Sequence, residues 1–370
     1  MPGILGNKRP IIAVTGSAGK TTTKEMVAAI LSARNKIFKS VRNKNTWVNT
    51  RAYKKQINAS HRAVVLEYGM LRAGQIKKHC QMIQPNIGVV TNVGTAHIGN
   101  FGGSIRGIAR AKSELIQHMR PRGVLFLNAD DVNSRMLLTK GFKGRIFKVG
   151  INNPAQFKAF HIREEGNGVS FDLKLRGQVH TFHVPLPGRH NVYNALFAIA
   201  IAHCLGYPVS AMQRGLRRFA RPQRRLSTFR GRDGIVIIDD TFSANPNAVR
   251  AAIDVLQQNK GPKIAVLGAM LEMGKYHVRG HKGVGRYIAK KGIDYLFTFG
   301  KNAALIGKGA VEAGFPAAKV IHCNTREVLH RKLLQKIQAN SSILVKGSHK
   351  VKMNLTAAFL RKRFARQKSN

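Results

Sequence analysis

The chain has 370 residues, enough for two or three domains, and its 44% apolar content is that of a globular protein. Its charge is extreme: 63 Lys and Arg against 16 Asp and Glu give a net +47, which favours polyanions and predicts non-specific, salt-sensitive adhesion to them. The basic residues run through the whole chain without a helix-turn-helix, zinc-finger or RNP signature, so they read as a general surface bias rather than a dedicated nucleic-acid site. Cys80, Cys204 and Cys323 are far apart and odd in number, which argues against a disulfide framework and fits a reducing cytoplasm. The start, MPGILGNKRP, lacks a signal-peptide apolar region, and the longest apolar run, Ala195 to Cys204, is too short to span a bilayer.

Ile11 to Val14 form an apolar run that predicts a buried parallel strand. Gly16, Ser17, Ala18, Gly19, Lys20, Thr21 and Thr22 follow, then a helix-forming stretch through Ile30. Strand, glycine loop and helix start make a phosphate cradle, because glycines let backbone N–H groups close on phosphates and the helix end adds partial positive charge. The pattern is T-G-x-x-G-K-T, a short variant with Val14 where the longer motif has Gly. In this reading the ligand is a nucleotide, Lys20 reaches its terminal phosphates and the Thr21 hydroxyl serves Mg²⁺. The alternative is an ordinary strand-to-helix turn that happens to carry a lysine.

Residues 36–40 predict a short strand, 42–50 a polar loop, and 61–69 a second buried strand that ends in Glu67. A helix is expected over 74–82, a third strand over 87–93 running toward His97, a helix over 105–119 carrying Lys112, and a fourth strand over 123–127. Strands alternating with helices imply a doubly wound parallel sheet whose ligands gather at the strands' carboxyl ends, where the loop, Glu67 and His97 all lie. From about 145 to 187, alternation with Gly turns predicts a small antiparallel extension. An Ala-rich buried helix (188–206) and a shorter one (209–219) complete a domain expected to run from 1 to 222. The segment 221–230, RPQRRLSTFR, reads as a basic hinge. Beyond it, five further strands alternate with helices, so residues 223–370 are expected to form a carboxy-terminal Rossmann-like α/β domain without a glycine fingerprint of its own.

On so basic a chain a surviving carboxylate draws notice, and Glu67, Glu114, Asp130, Asp131, Asp239, Asp240 and Glu272 fall in the informative segments. Glu164, Glu165 and Asp294 read as surface or structural positions. His277 and His281 have the spacing of helix-borne metal ligands, but no acid or Cys completes a set, so they too read as structural.

The segments TGSAGKTTTKEM (15–26), VLEYGMLRAGQI (65–76), TNVGTAHIGNFGG (91–103), GIARAKSEL (107–115), LNADD (127–131), LPGRHNVYNALFAIA (186–200), DDTFSANPNAVRAAIDVL (239–256), LGAMLEMG (267–274) and LVKGS (344–348) resemble, in family order, the Mur ligase family of peptidoglycan-precursor enzymes. Within it they are nearest the branch that adds D-alanyl-D-alanine. The resemblance implies an ATP-dependent amide-bond ligase: ATP phosphorylates a substrate carboxylate, an amine attacks the acyl phosphate, and the amide leaves with ADP and phosphate. It implies small-molecule or peptide-precursor substrates. It also implies Thr21 and Glu67 as oxygen ligands of one Mg²⁺, His97 at a second metal, and a carbamylated lysine at Lys112. It makes Asn191 the reader of adenine, and Arg225, Asp240 and Asn245 residues that reach the nucleotide, with Lys346 facing the same cleft.

Bland readings stand beside these: a solvated Lys112, a hydrogen-bonded strand-end His97, a Glu67 paired with a neighbouring cation, and a structural Asn191. Three departures accompany the resemblance. The phosphate loop begins at residue 15, where the family first has a domain holding the UDP-sugar, so a chain without that domain is expected. Ala269 stands where the family usually has Asp, and Phe242 where it has Tyr. The rival readings are a ligase of the folylpolyglutamate or poly-γ-glutamate type, and a polyanion-binding protein with a relict ATP site.

Overall fold

The structure, a computed structural model, describes residues 5, 6, 8–165 and 168–365. Its backbone divides into two compact units, Met1–Pro222 and Gln223–Asn370. Among the described residues no helix is long and apolar enough to cross a membrane.

The first unit runs β1 (Ile11–Thr15), α1 (Lys20–Leu31), β2 (Ile37–Lys39), α2 (Trp47–Gln56), β3 (Ala63–Glu67), α3 (Gln75–Met82), β4 (Ile87–Val90), α4 (Ile105–His118), β5 (Val124–Asn128), β6 (Arg145–Gly150), β7 (Phe157–Glu165), β8 (Gly168–Leu175), β9 (Gln178–Val184), α5 (His190–Cys204) and α6 (Val209–Arg218). These strands form a nine-stranded sheet in the order β2-β3-β1-β4-β5-β6-β7-β8-β9. β1 lies between β3 and β4, parallel to both, with Val14 beside Glu67 and Thr15 beside Val90. That register brings the ends of three strands to one rim. α5 is apolar on every side, and accordingly Ala195 through Ala202 are all buried against the sheet and α1.

Two expectations need correction here. The segment 42–50 is not all loop: α2 starts at Trp47, because Thr46 and Asn49 form a reciprocal capping box that offsets the segment's polarity. The antiparallel extension starts later than residue 145. β6 pairs parallel to β5, and β7 parallel to β6; the antiparallel pairs are β7 with β8 and β8 with β9, and these strands continue the large sheet. The Gly-rich alternation of this stretch conceals the change of direction.

The second unit runs β10 (Ser227–Arg230), β11 (Val236–Asp240), α7 (Pro246–Gln257), β12 (Lys263–Gly268), α8 (His277–Ile288), β13 (Tyr295–Phe299), α9 (Ala304–Val311), β14 (Val320–Cys323), α10 (Arg326–Leu334), β15 (Ser342–Lys346) and α11 (Asn354–Arg363). Its sheet has the order β10-β11-β15-β12-β13-β14, parallel except for β10. The expected hinge at 221–230 therefore ends in a strand, β10, which pairs antiparallel with β11.

Candidate phosphate-binding site

The turn between β1 and α1 has a shape that only glycine permits at two places. Gly16 has φ 148°, and a Cβ there would lie 1.8 Å from the Thr91 hydroxyl; at Gly19 (φ 82°) it would lie 2.4 Å from Asn194 Oδ1. Gly19 is also the N-cap of α1 and offers no side chain to cap the first turn. The start of the helix thus presents its dipole and first amides to the loop, the arrangement that suits a phosphate. Lys20 folds back over the turn, donating from Nζ to Gly16 O at 2.9 Å. Thr15, just before the turn, carries the one buried side-chain polar atom without a hydrogen-bond partner among the described residues.

The rim is joined to this loop by side chains. Thr21 Oγ1 donates to Glu67 Oε2 at 2.8 Å, and Asn45 Nδ2 donates to Glu67 Oε1 at 2.7 Å. Glu67 is 2% exposed. Asn92, after β4, accepts from Ser17 N and Ala18 N through one oxygen and donates from Nδ2 to Ala18 O. Two of the loop amides expected to cradle phosphate are therefore held by a side chain. Ser17 Oγ donates to Gly94 O and accepts from Gly94 N, so the segment leading to His97 is bound to the loop as well. His97 itself has φ 60° and opens a 3₁₀ turn over Ile98–Phe101.

Lys112, on α4, is 2% exposed. Burial holds its amine well below the usual lysine range, with the charge of Lys20 acting in the same direction and that of Asp131 opposing. Asp131 accepts from Val93 N and Ser134 Oγ, while burial raises its carboxyl above the ordinary value. The structure therefore gathers the loop, Thr21, Glu67 and the segment toward His97 by hydrogen bonds, and brings Lys112 into the field of Lys20. Among the described residues no three His, Cys, Asp or Glu side chains are grouped as a metal cage. A hydroxyl beside one carboxylate is instead a donor set suited to Mg²⁺, which keeps several water or phosphate ligands.

Asn191 is buried in a ladder under the loop. Its Nδ2 donates to Pro187 O, its Oδ1 accepts from Asn194 Nδ2, and Asn194 Oδ1 accepts from Thr23 Oγ1. The remaining acids mostly serve the fold. Glu114 caps α3 by accepting from Gly74 N and Lys77 N, and Asp130 accepts from Tyr193 and from the backbone of residues 151–153. Asp294 accepts from Lys263 N. A cavity of about 530 Å³ lies at the opposite, amino-terminal ends of β1 and β3, lined by Lys8, Arg9, Arg62 and Tyr207 among others, away from the phosphate loop.

In the second unit, Asp240 Oδ2 pairs with Lys346 Nζ at 2.5 Å, and Asn245 caps α7 by accepting from Ala248 N. The Arg225 guanidinium lies 4.2 Å from the centre of the Phe242 ring. His281 is buried, accepts from Met270 N at Nε2 and holds its other nitrogen against His277 O, so both ring nitrogens are spent on backbone.

Residues 14–202 match the Mur ligase middle domain, and residues 224–349 match the Mur ligase glutamate ligase domain. The chain belongs to the Mur ligase family. It is 32% identical over 351 residues to UDP-N-acetylmuramoyl-tripeptide–D-alanyl-D-alanine ligase of Bacillus subtilis, covering 93% of this chain and 74% of that protein. It is 30% identical to the Escherichia coli enzyme of the same name, over 93% and 75%. The crystal structure of MurF from Acinetobacter baumannii superposes with a TM-score of 0.88 at 30% identity, covering 97% of this chain and 78% of that one. These relatives are named as ligases, and ligases of this family are ATP-dependent.

The motif reading overlooked Asn45, Asn92 and Asn194. Asn92 lies within the quoted TNVGT run and Asn194 within HNVYN, but nothing in the spacing announces that their amides turn toward the phosphate loop. Asn45 lies in the stretch read as plain loop.

Proposed function

We propose that this chain is an ATP- and Mg²⁺-dependent ligase that converts a carboxylate to an acyl phosphate and joins it to an amine, with a UDP-linked muramoyl tripeptide and D-alanyl-D-alanine as its substrates. The observation that carries the reading is the joined pair Thr21 and Glu67 at the mouth of a glycine turn already spanned by Lys20. Lys20 and the first turn of α1 hold the phosphates and offset the charge that spreads over the transferred group. Thr21 and Glu67 would hold Mg²⁺, which supplies charge neutralisation on the phosphate oxygens when bound. His97 would serve a second metal through its imidazole. The buried Lys112 amine is disposed to add to CO₂ and lose a proton, giving a carbamate anion that returns negative charge to the site. Asn191 supports the loop from below through Asn194, and Arg225, Asp240 and Asn245 are the second unit's candidates for contact with the nucleotide.

The test is phosphate release from ATP with UDP-muramoyl tripeptide and D-alanyl-D-alanine, each omitted in turn. Release that needs both supports the reading. Release driven instead by glutamate and a pteroyl acceptor would transfer the chain to the folylpolyglutamate type. Tight ATP binding without turnover under any pairing, with steeply salt-dependent binding to DNA, would leave a relict site.

A further inference from the structure

On a chain with 63 Lys and Arg against 16 acids, both side chains that donate to Glu67 are neutral. A lysine at position 45 would neutralise this carboxylate; an asparagine amide orients it and leaves its charge intact. The loop that carries Asn45 is fastened with unusual care. Lys24, wholly buried, donates to Ser40 O and Arg42 O. Tyr53 OH accepts from Val41 N and donates to Lys44 O. Gly69 N donates to Asn45 O at 2.9 Å. His79, fully buried, accepts the Thr50 hydroxyl at Nδ1 and donates from Nε2 to Gly69 O, with the Asn45 backbone also within its reach. The far side of the contact is just as close: a Cβ on Gly69 would meet Asn45 Cγ and Oδ1 at 2.7 Å, although Gly69 has no left-handed φ that would itself demand glycine.

We propose that Asn45 is a positioning residue for Glu67, turning one carboxylate oxygen toward Thr21 and the metal, and that Gly69 lacks a side chain to make room for it. The inference rests on the reading of Glu67 as the Mg²⁺ carboxylate. It goes beyond that reading by assigning two residues that touch neither metal nor nucleotide.

The experiment uses the full chain and a fluorescent N-methylanthraniloyl ATP, bound across a Mg²⁺ titration and separately in EDTA, with the melting temperature recorded. Asn45→Ala and Gly69→Ala are expected to raise the half-saturating Mg²⁺ by about ten- to a hundredfold, the range for losing a group that orients a metal ligand. Affinity in EDTA stays at the parent's value, which a merely structural disturbance would not leave alone. Gly69→Ala decides the matter if Asn45→Ala proves too unstable, because it keeps the amide and displaces it together with the Asn45 carbonyl, which the same Cβ would meet at 2.9 Å. A Mg²⁺ curve superposing on the parent's in either folded variant overturns the inference. Glu67→Gln separates the two levels: an unmoved Mg²⁺ curve there sinks the metal reading, whereas a shift in Glu67→Gln alone sinks only the role of Asn45.

Discussion

The two units each gather carboxylates at the carboxyl ends of parallel strands, yet they treat the charge differently. In the first, both oxygens of Glu67 accept from neutral groups, Thr21 and Asn45. In the second, Asp240 is paired with Lys346 and Asp239 with Arg361, while the second oxygen of Asp239 accepts from Thr241. A charge compensated inside the fold acts as a strut; on the function proposed above, one oriented by neutral donors is left for a cation that arrives with substrate. The contrast sorts these carboxylates by the chemistry of their donors rather than by burial, since Glu67, Asp239 and Lys346 are all at most 2% exposed.

The largest effect expected is at the loop. Lys20→Ala should cut ATP turnover by about a hundred- to a thousandfold, the range for losing one group preorganised for transition-state charge. The melting temperature should barely move, since Lys20 is half-buried and its amine bonds the turn it lies on. A variant with parental turnover would break the phosphate reading itself.

Next comes the strut. Lys346→Ala leaves Asp240 without its cation in a nearly closed setting, and also frees Ser243 O, to which Lys346 donates at 2.8 Å. Removing one member of a buried pair costs about 3–5 kcal/mol. Glu67→Gln keeps an acceptor for Thr21 but turns an NH₂ toward the Asn45 amide, and should cost less, about 1–3 kcal/mol. Denaturant unfolding of both variants checks the comparison; equal losses would erase it.

The fold was legible wherever periodicity and glycine placement agreed. The β1–α1 turn, the strand ending at Glu67 and the αβ alternation of the second unit follow from apolar runs of strand length between helical stretches. The rest was hidden for definite reasons. α2 depends on a capping box between Thr46 and Asn49 inside a stretch whose composition suggests a loop. The direction of β6 is set by its pairing with β5, which no local pattern encodes. The amides of Asn45, Asn92 and Asn194 owe their importance to approaches between segments far apart in the chain, such as the one between Asn194 and Gly19. Motif spacing finds residues that meet a ligand; it is silent on those that meet each other.

A third prediction concerns the post behind Asn45. Burial pushes the His79 imidazole down to about 4 from 6.5. The unfolded chain therefore takes up a proton as the pH falls through 6.5, while the folded chain refuses it until about pH 4. Stability from this group is complete above pH 6.5, declines between 6.5 and 4, and levels off below, for a total of up to about 3 kcal/mol. Other histidines are pushed down by burial too, including His281, so the global slope is shared among them. The informative quantity is the difference from His79→Gln, whose unfolding free energy should fall less steeply over that window. Parallel pH profiles would remove His79 from the account.

The smallest effect tests whether the fastening of Asn45 is separate from the helix that begins beside it. Thr46→Ala deletes the cap of α2, but both backbone bonds of the box are long, at 3.4 Å. The loss should therefore sit at the low end for a cap, about 0.5 kcal/mol. Asn45 is held by Gly69 N, one residue before the cap, and its loop by Tyr53, Lys24 and His79. None of these bonds uses the Thr46 hydroxyl, so the Mg²⁺ dependence should stay where it is even as the helix start frays. A Mg²⁺ shift in Thr46→Ala as large as that of Asn45→Ala would mean that the helix cap, not the carboxylate's neighbour across the loop, sets Glu67.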